Sequence, residues 1–90
     1  MAAAGPSSEA LYNEGVILWN GGKFADARPK FEMAVKANPQ NADAHYMLGL
    51  ASLNGGQMAP ARAAFEEYLK IAPNGPKAAE VKTFLTQLPK

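Results

Sequence analysis

The chain repeats itself at an offset of 34 residues. Asn20-Gly21-Gly22 returns as Asn54-Gly55-Gly56, and the same offset pairs Tyr12 with Tyr46, Gly15 with Gly49, Ala27 with Ala61, Arg28 with Arg62, Phe31 with Phe65 and Pro39 with Pro73. Aligning 8–41 with 42–75 gives 13 identical positions of 34. They cluster at turns and at small or large apolar positions, where a helical hairpin needs special residues. A period of this length marks a supersecondary unit that cannot bury its apolar side alone and stacks on a copy of itself.

The first unit reads as two helices. Leu11, Gly15 and Leu18 recur three to four apart on one face, which predicts a helix over about 8–20. Pro6 suits its first turn, Ser7 or Ser8 can cap it, and Gly21-Gly22 stops it. A second helix is expected over 23–37, with Phe24, Ala27, Phe31, Ala34 and Val35 inward. Small Ala27 lets the two helices approach, and Phe31 fills the space between them. Pro29 removes a backbone bond inside this helix, so a small kink or a 3₁₀ first turn is expected there. Asn38-Pro39 ends it, because the residue before proline is pushed out of the helical region.

The second unit copies the first. Asn41 caps a helix over 42–54, with Ala44, His45, Leu48 and Ala51 inward, and a fourth helix follows over 57–72 with Ala61, Phe65, Tyr68 and Leu69 inward. Tyr68 replaces Ala34 of the first copy, which implies a wider gap filled against whatever follows. After the Asn74-Gly75-Pro76 turn, Ala78, Val81, Phe84, Leu85 and Leu88 form the stripe of a fifth helix over 77–88. Lys77, Glu80, Lys82, Thr83, Thr86 and Gln87 are left on its other face. A polar outer face is what closes the open end of a stacked array.

These residues place the chain beside a known family. Leu11, Glu14-Gly15, Leu18, Ala27, Phe31 and Pro39 in one copy, and His45, Leu48-Gly49, Ser52, Ala61, Phe65 and Pro73 in the other, follow the pattern of the tetratricopeptide repeat. The copies depart from the pattern at Leu11 and His45 in its tryptophan slot, at Ser52 in its tyrosine slot and at Glu14 in its leucine slot. The small and hinge positions agree best. The resemblance spans about 8–75. It implies an all-α, right-handed superhelical array: a lead-in at 1–7, repeats at 8–41 and 42–75, and a C-terminal capping helix at 76–90, five helices in total.

The resemblance also implies a concave groove lined by the first helix of each repeat. By position, Glu9, Tyr12, Asn13, Val16, Trp19 and Asn20 of copy one would line it, with Asp43, Tyr46, Met47, Leu50, Leu53 and Asn54 of copy two. Aromatic and methionine side chains are enriched at interfaces, and asparagine can clamp a peptide backbone through its paired donor and acceptor. The set therefore suits an extended or helical apolar segment of a protein partner, held at about micromolar affinity. Tyr12 and Tyr46 are expected to be exposed in it. One subgroup of the family grips the C-terminal carboxylate of chaperones with basic and asparagine side chains. Here Tyr12, Val16 and Met47 stand in three of those slots and Val81 in a fourth, so that clamp is not expected.

Composition narrows the rest. Nine basic and eight acidic residues leave no basic stripe for nucleic acid. There is no cysteine and a single histidine, His45, so neither thiolate chemistry nor a Cys/His zinc site is expected. His45 falls in a slot that faces the hairpin interior, and the Gly-Gly turns follow helices and lack the Lys-Ser/Thr of a phosphate loop. No enzyme, metal or cofactor is expected. No apolar run approaches the ~18 residues of a membrane helix, and Met1–Gly5 lacks the features of a signal peptide. Two classes stay open: a module that binds a protein or peptide partner, and an element that self-associates through its exposed ends; a monomer or a weak homo-oligomer is expected. Tyr68 and Phe84 near the C-terminal end would favour the second.

Overall fold

The computed structural model describes residues 6–89. Residues 1–5 of the lead-in expected at 1–7, and Lys90, lie outside the described residues. Five helices follow one another: α1 (Ser8–Asn20), α2 (Phe24–Ala37), α3 (Ala42–Asn54), α4 (Met58–Ile71) and α5 (Ala78–Gln87). α2 packs on both α1 and α3, and α4 on both α3 and α5, so each second helix joins two successive first helices.

Local chemistry sets the helix ends. Ser7 Oγ accepts the Ala10 N–H at 3.0 Å, and Asn41 Oδ1 accepts the Ala44 N–H at 3.1 Å, each satisfying one donor left over at a helix start. At the far end of α1, Gly22 takes φ +79°, and the Lys23 N–H reaches the Leu18 carbonyl at 2.8 Å. Gly56 does the same at φ +75°, with Gln57 bonded to Ser52 at 2.8 Å. Both are Schellman stops, which need a residue without a Cβ at the left-handed position. In each pair it is the second glycine that carries this conformation. Of the two outcomes expected at Pro29, the 3₁₀ turn does not form: α2 is α-helical throughout from Phe24. The missing proline N–H deprives only the Ala25 carbonyl of its bond.

Two phenylalanines sit at the centre. Phe31 and Phe65 are both fully buried, each wedged in the crossing of its own hairpin. A Cβ on Gly15 would lie 2.6 Å from the Phe31 ring, and one on Gly49 would strike the Phe65 ring. The repeated glycine is therefore a packing requirement. Phe84 of α5 stacks on Phe65, ring centres 5.0 Å apart and 14° from parallel. The Tyr68 hydroxyl accepts the Lys77 N–H at 3.0 Å, so the oversized residue of the second copy fills the space under the turn into α5.

Polar contacts tie one unit to the next. Ser8 Oγ donates to the Ala34 carbonyl at 2.7 Å and accepts from Asn41 Nδ2 at 2.8 Å. The N-cap of α3 is thereby latched to α1 and α2 at once. The repeated arginines act in parallel: Arg28 donates to Gln57 Oε1 at 3.3 Å and Arg62 to the Leu85 carbonyl at 3.4 Å, while each pairs with a glutamate one turn on. His45 is buried as expected, with Nε2 donating to the Pro39 carbonyl at 2.9 Å.

Ser52 is fully buried and its hydroxyl has no partner among the described residues. Leaving a buried hydroxyl unpaired costs about 1–3 kcal/mol. Ser52→Ala is therefore expected to raise the melting temperature by a few degrees. A lower melting temperature in a thermal scan would show that the hydroxyl is satisfied.

Candidate partner-binding groove

α1 and α3 each have a carboxylate in the first turn and an aliphatic side chain two turns on. Glu9 and Val16 are seven residues apart on α1, two turns, and so lie on one side of it; Asp43 and Leu50 repeat this on α3. Val16 and Leu50 are half-buried and rest on the main core, as do Tyr12, Trp19 and Leu53. The side they share with Glu9 and Asp43 is thus an apolar strip with a carboxylate at each helix start. Asn13 and Asn20 are exposed.

Where the two hairpins meet, Glu9, Tyr12 and Asn13 of α1 and Ala42 and Asp43 of α3 enclose a cleft of about 490 Å³, with Asn38, Gln40 and Asn41 as its end wall. Tyr12 lies against Phe31, ring centres 6.0 Å apart. Burial and the neighbouring Asp43 carboxylate both raise its phenol above the ordinary tyrosine value, so Tyr12 meets the cleft as a neutral hydroxyl.

The structure corrects the expected lining on the α3 side. Tyr46 is only 8% exposed and Met47 is buried with the core. α5 takes the place of a third first helix, and Glu80 stands 34 residues after Tyr46. The Tyr46 hydroxyl donates to Glu80 Oε2 at 2.6 Å, and the Lys77 ammonium sits 5.3 Å from the centre of its ring. Burial, then the bond to Glu80 and its charge, push the Tyr46 phenol well above its ordinary range. Glu80 thus belongs to a contact and not simply to the outer face of α5. Trp19 also has a packing role, edge-on to Phe24 at 4.6 Å. Asn54 is exposed but borders a small cavity of about 160 Å³ with Phe24, Arg28 and Ala51. Tyr12, Asn13, Val16, Leu50 and Leu53 therefore keep open surface toward the strip, while Tyr46 and Met47 support it from below.

Long-range partners hide this distinction in the sequence. Tyr12 and Tyr46 are equivalent by register, and only the helix that follows decides which is covered. Glu9, Tyr12, Asn13 and Asp43 of the cleft follow from repeat position, whereas its end wall of Asn38, Gln40 and Asn41 does not. Among the described residues no helix is long and apolar enough to cross a membrane, and no three His, Asp or Glu side chains group as metal ligands.

The family model described as tetratricopeptide repeat matches residues 2–41 and 12–76. No curated protein matches the chain.

Proposed function

The chain belongs to the tetratricopeptide repeat family, and from that premise we propose that it holds a polypeptide segment of a partner against the strip formed by α1 and α3. Members of this family are generally protein–protein interaction modules and not enzymes. The observation that carries the reading is the half-buried pair Val16 and Leu50, set at equivalent positions on two first helices beside a cleft that both hairpins enclose. An apolar strip with polar groups at its edges is what a segment needs to gain area and keep its backbone bonded.

Short peptides selected on the immobilised domain from a displayed random library supply a probe. Trp19 is the single tryptophan and borders the strip, so binding should change its fluorescence. Val16→Ser with Leu50→Ser is expected to weaken such peptides about tenfold or more while circular dichroism still shows a folded domain. Unchanged affinity in the folded double variant would remove the strip as the site.

A second reading, self-association, has one observation behind it. Ile17 is 71% exposed, yet its counterpart Ala51 is buried beside α2. The array thus has an uncovered apolar position at its first hairpin. At the C-terminal end Tyr68 is fully buried, while Phe84, stacked on Phe65, stays half-buried. A concentration-independent monomer in light scattering would remove this reading.

A further inference from the structure

The leading helices carry charge of one sign only. α1 and α3 hold Glu9, Glu14 and Asp43 and no lysine or arginine, whereas α2 and α4 are mixed, with five basic residues against Asp26, Glu32, Glu66 and Glu67. Glu14 is neutralised by Lys30 across the first hairpin, Nζ to Oε1 2.9 Å. Glu9 and Asp43 take part in no ion pair among the described residues, and both line the 490 Å³ cleft. Lys77, one repeat after Asp43, is the nearest cation in register, and its ammonium is held over the Tyr46 ring. The strip therefore has an apolar floor at Val16 and Leu50, an anionic flank at Glu9 and Asp43, and a neutral flank at Asn20.

We infer that the segment bound by this strip carries lysine or arginine along one edge and apolar side chains along its middle, with the basic edge seated against Glu9 and Asp43. The inference rests on the strip being the binding site and adds to it the chemistry and orientation of the occupant. Two uncompensated carboxylates beside an apolar floor repel an acidic segment and leave a neutral one without charge partners. A basic edge satisfies both, and the partly enclosed cleft screens the pairing less than open solvent does. Glu9 and Asp43 lie in the first turns of their helices, where a carboxylate also favours the helix.

The selected peptides test this directly. Clones are expected to combine lysine or arginine with neighbouring apolar residues, and to bind more weakly as sodium chloride is raised. Glu9→Gln with Asp43→Asn should weaken them about three- to tenfold with the fold retained by circular dichroism. A spin label on the basic end of a clone should broaden the Glu9 and Asp43 amide signals more than those of Asn20. Acidic or uncharged clones, or full affinity in the charge variant, would overturn the inference. If such clones still lose affinity in Val16→Ser with Leu50→Ser, the strip remains the site and only its charge preference is refuted. Clones indifferent to both variants refute both. A dimer in light scattering that selected peptides fail to displace would show a second copy as the occupant and overturn the inference as well.

Discussion

Gly15→Leu is expected to unfold the first hairpin, with a loss of ~1–3 kcal/mol or more. A single Cβ at this position already lies 2.6 Å from the Phe31 ring, well inside contact distance, and a leucine adds three further carbons in the same direction. Phe31 cannot retreat, because it is fully buried between α1 and α2 with the Tyr12 ring against it. The alternative is to part the helices, which exposes Leu11 and Ala27 together. Stability in a chain of this size is small, of order 5–10 kcal/mol, so each kcal/mol lost should lower the melting temperature by about 4–8 °C. Gly49→Leu should behave alike, since its Cβ meets the Phe65 ring. A thermal scan showing either variant as stable as the parent would contradict the crossing geometry.

Phe65→Ala is the second large effect, at about 3–5 kcal/mol. Phe65 is fully buried, touches the Tyr46 ring at 6.4 Å between centres, and carries Phe84 stacked at 5.0 Å. Its removal leaves a cavity and takes away the surface on which α5 rests. Hydrogen exchange should therefore speed up in α5 before α1 and α2, because a stacked array opens from its ends. Uniform exchange across all five helices would show that α5 is not held through Phe65.

The helix pattern was legible in the sequence because its determinants are local. Asn41, Gly22, Gly56 and Asn38-Pro39 each act on the backbone within a few residues, and expected and observed helix ends differ by one residue at most. The small residues Gly15 and Ala27 were legible for another reason: the second copy repeats them at Gly49 and Ala61. What the sequence hid depends on contacts between distant positions. Nothing near Tyr46 says that Glu80 will bond its hydroxyl, and nothing near Ser8 says that it will join Ala34 to Asn41. The 3₁₀ turn that Pro29 suggested does not form, and α2 keeps α-helical hydrogen bonding around it. That Tyr46 and Met47 lie beneath the strip, leaving Tyr12, Asn13, Val16, Leu50 and Leu53 open, follows only from the folded arrangement.

The central claim is that the two leading helices present one shared face to a partner. Backbone amide shifts, followed during titration with a selected peptide, test it most directly. The account predicts that the largest changes fall on α1 and α3 together, around Glu9, Asn13, Val16 and Leu50, with the outer residues of α2 and α4 silent. Changes confined to one hairpin, or centred on α2 and α4, would contradict it.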